Sequence, residues 1–184
     1  MNKQNKIESK NELPLKNYSE TVFKSCRFIE SDWRQKTFQN CCFDSCNLTL
    51  VNLEQARFQE VSFKNCKIVG VKFYTLHNFS FDFSFEGSVL INCNFSNLSL
   101  IKTPFLDCEI KECYFNESLL READFTGSSL ANSVFQNSDL RKANFKEAKN
   151  YIIDPTINKM AKAVFSFPHA MGLLHGLDVK IEDF

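Results

Sequence analysis

Large apolar residues recur every fifth position along most of this chain. A first run holds Phe23, Phe28, Trp33, Phe38, Phe43, Leu48, Leu53, Phe58, Phe63, Ile68 and Phe73. A second holds Phe85, Leu90, Phe95, Leu100, Phe105, Ile110, Phe115, Leu120, Phe125, Leu130, Phe135, Leu140 and Phe145. Twelve residues separate Phe73 from Phe85, so the register slips by two between the runs. Two residues before each centre the chain is nearly always small: Cys26, Cys41, Cys46, Ala56, Cys66, Cys93, Cys108, Cys113, Ser118, Ala123, Ser128 and Ala143 are examples. The remaining positions are mostly Asn, Asp, Glu, Lys, Arg, Ser and Gln.

A period of five belongs neither to a helix, near 3.6, nor to a flat strand, near 2. One large and one small inward position per repeat mean that the chain turns a corner in each repeat. Four corners close a coil of about 20 residues, and stacked coils bury a continuous column of side chains. The segments "ADFTG" at Ala123–Gly127, "SDLRK" at Ser138–Lys142 and "ANFKE" at Ala143–Glu147 show the repeat directly. The pattern resembles the pentapeptide-repeat family over about residues 19–149. That resemblance implies an all-β solenoid, a right-handed quadrilateral β-helix of about six coils and roughly 30 Å.

The pattern breaks in three places. Around Tyr74–Ser84, "YTLHNFSFDFS" carries Phe79, Phe81 and Phe83 in alternation. It reads either as a packed bulge that absorbs the slip or as a loop that contacts a partner through His77, Phe79 and Phe81. Near the start, Lys36 falls on a small position, so it must snorkel outward or the coil must open there. Residues 1–17 are polar, and a disordered tail is expected whose last residues drape over the first coil. The repeat proper is expected over 18–150. After Lys149, Asp154 is a candidate N-cap with Pro155 at the first helical position, and Ile157, Met160, Ala161 and Val164 follow helical spacing. A second short helix is predicted from Ser166–Pro168 to Gly176, then a strand over Leu177–Ile181. The 151–184 segment is thus expected as a helical cap that covers the last coil. Its surplus of apolar residues, Phe165, Phe167, Met171, Leu173, Leu174 and Leu177, predicts a homodimer joined end to end.

Composition narrows the chemistry. The chain has 184 residues with 22 basic and 22 acidic side chains, a formal net charge of zero. A neutral balance argues against direct binding of nucleic acid, which needs a basic footprint. No apolar run reaches the ~20 residues of a membrane helix, and Met1–Lys16 lacks an apolar secretory core, so a cytoplasmic location is expected. Eight cysteines would otherwise invite a disulfide or zinc reading, but seven of them occupy the small inward position and only Cys42 points outward. They read as buried thiols. No nucleophile elbow, zinc-protease motif or phosphate loop is present, and no catalytic, cofactor-binding or metal-binding residue is assigned. The expectation is a binding module without cofactor, not an enzyme.

A compact solenoid with the tail "IDPTINKMAKAVFSFPHAMGLLHGLDVKIE" is similar to the topoisomerase-protecting group of Qnr and MfpA type. That resemblance implies a rod-like dimer that imitates duplex DNA, engages DNA gyrase or topoisomerase IV, and protects it from quinolones or a topoisomerase poison. Neutrality stands against a uniformly negative rod. One stretch is acidic: Asp107, Glu109, Glu112, Glu117, Glu122 and Asp124 outnumber Lys111 and Arg121. It is a candidate belt for a positive DNA-binding saddle, or an ordinary fluctuation of surface charge. The alternative is a structural solenoid with another protein partner.

Overall fold

The five-residue period is built into the backbone. Outside the break, every fifth residue, two after an apolar centre, adopts a left-handed φ: Asn40 at 50°, Glu60 at 53°, Asn97 at 63°, Glu117 at 58° and Lys142 at 59° are typical. The centre's carbonyl then accepts from the N–H of the next small residue, as from Ala123 to Leu120 at 3.1 Å, Ser128 to Phe125 at 3.0 Å and Ala143 to Leu140 at 3.0 Å. A positive φ at the third residue of a four-residue turn is the signature of a type II turn. Asn accepts this conformation better than most residues, and Gly accepts it freely. Each turn changes the direction of the chain, and four of them return it to its start.

The computed structural model describes residues 5–77 and 81–177. They form a right-handed, four-sided β-solenoid of about eight coils. At about 4.8 Å per coil this is a rod of roughly 38 Å. All strand pairs among the described residues are parallel, and outside the first coil and the break the register step is 20 residues: Thr37 faces Arg57, Phe43 faces Phe63, Leu48 faces Ile68 and Leu90 faces Ile110. Across the break the step is 22, with Val61 opposite Phe83 and Phe63 opposite Phe85. The slip is absorbed on one side of one coil, and the stacking elsewhere continues without interruption.

The four sides are numbered in chain order from the column of Phe23, as faces 1 to 4. Face 1 is an unbroken pile of phenylalanine rings. From Phe23 through Phe43, Phe63, Phe85, Phe105, Phe125 and Phe145 to Phe165, centroids lie 4.5–5.2 Å apart and planes within 13° of parallel. Face 3, opposite, stacks Phe73, Phe95, Phe115 and Phe135 at 4.4–5.0 Å. The two piles meet edge to face, as Phe95 meets Phe105 at 5.7 Å and 90°. Faces 2 and 4 contribute aliphatic columns such as Leu90–Ile110–Leu130 and Leu100–Leu120–Leu140, all fully buried.

The small positions do more than save space. Ser128 donates its hydroxyl to the Phe105 carbonyl one coil back at 2.7 Å and accepts from the Cys108 N–H at 2.8 Å. Cys46 does the same through sulfur, to the Phe23 carbonyl at 3.3 Å and from the Cys26 N–H at 3.4 Å. Each such side chain bridges two backbone groups at a corner where a backbone partner is missing. Ser and Cys therefore interchange here for a chemical reason, since each offers one donor and one acceptor on a short stem.

Both ends depart from the expectations above. Asn5–Glu8 is a strand, with Asn5 opposite Thr21 and Glu8 opposite Lys24, and Leu13 is buried. The start of the described chain is thus a shortened first coil, held by backbone bonds such as Thr37 N–H to the Lys16 carbonyl at 2.9 Å. Lys36 resolves its misfit by sending its ammonium out to the Leu15 carbonyl at 2.9 Å. At the other end the predicted helix over Ile157–Val164 is absent. Asp154 instead caps a turn by accepting from the Thr156 N–H at 2.7 Å. The chain then adds another coil: Asn158 fills a small position, accepting from the Ser138 N–H at 2.9 Å, and Val164–Phe165 pairs with Asn144–Phe145. The physical reason is the open edge of the coil beneath. Its N–H groups at Leu140 and Lys142 are taken by the carbonyls of Lys159 and Ala161. A helix there would leave them unpaired. The second predicted helix exists as a 3-10 helix over His169–Gly176. The strand expected over 177–181 lies outside the described residues beyond Leu177.

Candidate interaction surfaces

A solenoid filled with phenylalanine leaves surfaces rather than an enclosed chamber. The cysteines are spent on the core: Cys26, Cys41, Cys46, Cys66, Cys93, Cys108 and Cys113 are buried, and Cys42 is half-buried. Burial pushes the Cys108 thiol up to about 12 and raises Cys41. These thiols stay protonated and serve as hydrogen-bonding spacers. Among the described residues no group of three or more His, Cys, Asp or Glu could hold a metal ion.

The predicted acidic residues do form a belt, because the repeat places them on successive corners of one coil. Asp107, Glu112, Glu117 and Glu122 all take the left-handed corner conformation, with φ of 50°, 54°, 58° and 59°. Glu109 stands outward on face 2, and Asp124 on face 1 of the next coil. They therefore encircle the rod and do not line one side. Their neighbours differ. Glu122 sits between Lys102 at 3.8 Å and Lys142 at 3.6 Å, and Glu112 meets Lys111 at 3.7 Å. Asp124 accepts from Thr126 and, at 3.1 Å, from Asn144. Among the described residues Asp107, Glu109 and Glu117 have no cationic partner. Two of the four corners, Glu112 and Glu122, are met by lysines, and the open acids are the corners Asp107 and Glu117 together with Glu109 on face 2.

Face 4 supplies the two lysines that flank Glu122. Reading along its coils near the C-terminal end gathers Lys102, Arg121, Arg141, Lys142, Lys159 and Lys162 against Glu122 and Asp139. Arg141 grips Asp139 with two bonds of 2.7 and 2.8 Å, and its guanidinium holds that carboxyl below the ordinary range. This cationic side escaped the linear reading. Sorting charges by position within the 20-residue coil, and not by neighbourhood along the chain, is the signal that exposes it.

The predicted dimer residues divide. Phe165 stacks on Phe145 at 4.9 Å, and Leu173 packs against the core, so both are partly covered by their own chain. Leu174 is half-buried. Phe167 is 84% exposed, and Met171 and Leu177 are exposed as well. Ile152, Ile157 and Val164, which sequence spacing assigned elsewhere or passed over, join them as exposed apolar residues of the last coil. The 3-10 helix is pressed on this end at Gly172, where a Cβ would come within 2.6 Å of the Tyr151 carbonyl.

The loop reading fares differently again. Phe81 is partly buried against the core and stacks on Phe83 at 5.3 Å. Phe83 itself stands where the neighbouring coil has the smaller Val61. His77 lies on face 4 with its Nε2 3.5 Å from Arg57. Phe79 lies outside the described residues.

Comparison with known proteins agrees with this architecture. The family description "Pentapeptide repeat region" matches residues 17–83, and "Pentapeptide repeats (8 copies)" matches 108–146. A search of the curated proteins finds no match. Among solved structures, a trypsin-treated variant of QnrB1, a plasmid-mediated fluoroquinolone resistance protein, is 13% identical, with 97% of this chain and 98% of that chain covered at a TM-score of 0.62. Full-length QnrB1 is 16% identical with 96% of each chain covered at a TM-score of 0.37. HetL, a pentapeptide repeat protein involved in heterocyst differentiation regulation from the cyanobacterium Nostoc sp. strain PCC 7120, is 13% identical over 88% of this chain and 85% of that chain, at 0.41. At these identities the likeness speaks to the fold.

Proposed function

Because the chain belongs to the pentapeptide-repeat family, we propose that it works by binding, not by catalysis, and that its partner is DNA gyrase or topoisomerase IV, which it shields from a quinolone or another topoisomerase poison. The observation that carries this reading is the set of unpaired acids on one coil, Asp107 and Glu117 at corners and Glu109 on face 2. They stand on a rod of which 97% aligns with a fluoroquinolone resistance protein. Anions carried on a regular backbone offer a cationic DNA-binding channel what a phosphate backbone offers it. The exposed apolar end at Phe167, Met171 and Leu177 supplies the surface for an end-to-end homodimer, in which the belt of each subunit lies toward the middle.

The test is a supercoiling assay with purified gyrase, and a matching one with topoisomerase IV, run with and without ciprofloxacin. The reading expects restored supercoiling in the presence of drug, or inhibition at micromolar protein. It expects that effect to fall at least tenfold in a variant carrying Asp107→Lys, Glu109→Lys and Glu117→Lys. No effect on either enzyme sinks it. The second reading, a solenoid that binds a different protein, is favoured by one observation: the cationic run on face 4 interrupts the belt at Glu122 and gives the rod one positive side.

A further inference from the structure

A groove of about 540 Å³ lies where face 3 turns into face 4 in the first half of the rod. It crosses successive coils. Its outer row is Asn17, Thr37 and Arg57, which are register partners on neighbouring strands, with His77 one coil further on. Its inner row is the corner pair Gln35 and Gln55, fixed by left-handed φ of 57° and 56°. Lys16 closes the end nearest the N-terminus. Between the rows, the small positions are Lys36 and Ala56, and Lys36 is drawn aside to the Leu15 carbonyl.

The lining is chemically one-sided. It holds two fixed cations, a histidine and three side-chain amides, and no carboxylate. Among the described residues neither Lys16 nor Arg57 is ion-paired. Arg57 can only donate, and one guanidinium nitrogen lies 3.5 Å from His77 Nε2. That bond is long and weak. An oxyanion seated beside Arg57 would take two parallel N–H donors from the guanidinium, a far stronger arrangement. The amides of Asn17, Gln35 and Gln55 present both donors and acceptors to the rest of a ligand, which suits hydroxyl groups and not an apolar body.

We propose that this groove binds the phosphate group of a small polyhydroxylated molecule, with Arg57 and Lys16 on the phosphate and the amide row on the hydroxyls. The site is separate from the acidic belt and does not depend on the topoisomerase reading. Neutral overall charge does not oppose it, because the field at a groove is set by its own lining.

The test is a titration of the isotopically labelled full chain, followed by NMR, with inorganic phosphate, glucose 6-phosphate and glucose at low ionic strength. Saturable shifts are expected at the Arg57 guanidinium and the side-chain amides of Gln35 and Gln55. Glucose 6-phosphate should bind about threefold or more tighter than inorganic phosphate, and glucose alone should leave the spectrum unchanged. Arg57→Gln should weaken binding about tenfold, the value of a lost charge-assisted bidentate contact, and Lys16→Gln about threefold. Lys149→Gln, near the other end of the rod, should match the unaltered protein. Equal affinity for the two phosphates would overturn the polyhydroxyl part of the proposal. Shifts spread evenly over the surface lysines, or unchanged binding by Arg57→Gln, would overturn the site.

Discussion

Single residues in this protein are chosen by their place in a five-residue cycle. Phenylalanine, cysteine and serine were legible at once, since an inward large position and an inward small one leave little choice. Corner conformation was not legible, because Asn, Glu, Gln and Lys all occupy the left-handed site and none of them announces it. Asp139 shows how an outward residue can escape too. It stands on face 4 where a polar side chain is expected, yet it is only 6% exposed, packed under Arg121 and Arg141. Its carboxyl is held below the usual value chiefly by the Arg141 hydrogen bonds. The stabilisation is therefore complete above the unfolded-state value of about 3.9 and is lost as pH falls through the lower folded value. Asp139→Asn should cost about 1 kcal/mol at pH 7, discounted for the half-exposed arginine. The gap from the unaltered protein should close as urea melts are repeated toward pH 2. A gap that persists undiminished in acid would show that the ion pair contributes nothing there.

The unit above the residue is the coil, and its stability comes from stacked rings. Each ring on face 1 touches one above and one below, and the ring piles of faces 1 and 3 lock edge to face through the centre. Phe105→Ala would remove one such ring between Phe85 and Phe125, and should cost about 3–5 kcal/mol. Urea unfolding would measure it, and a loss under 1 kcal/mol would mean that the column closes over the gap. The coils were readable from periodicity wherever the period was strict. The last one escapes the periodicity because Ile157, Met160, Ala161 and Val164 satisfy helical spacing, although only Met160 falls on an inward centre and Ile157 and Val164 are exposed. What decides against the helix is an unpaired backbone edge, which no side-chain pattern reports. The first coil was hidden differently: Asn5–Glu8 is polar in three of its four residues and pairs through its backbone.

At the scale of the whole molecule, zero net charge conceals a rod with unlike sides, and the two ends differ as well. The C-terminal end carries Phe167 almost fully in solvent. If that end joins two subunits, Phe167→Asp should leave the melting temperature within a few degrees, since the ring has little to lose within its own chain, and should turn a dimer into a monomer by light scattering. A monomer in both cases would remove the end-to-end arrangement. The acidic residues and the apolar C-terminal end are both visible in the sequence, but their geometry is not, because a girdle and a stripe look alike until the coil length is imposed on the numbering. The slip between Val61 and Phe83 has a consequence of its own. In a crystal it would be called a dislocation, and here it is healed within a single period: Phe63, Phe85 and Phe105 stay in one pile at 5.2 and 5.1 Å. A lineage of such rods can therefore gain or lose a residue or two along one side without shearing the column behind it. Chain length is free to drift locally, while the lattice of rings keeps the long-range order.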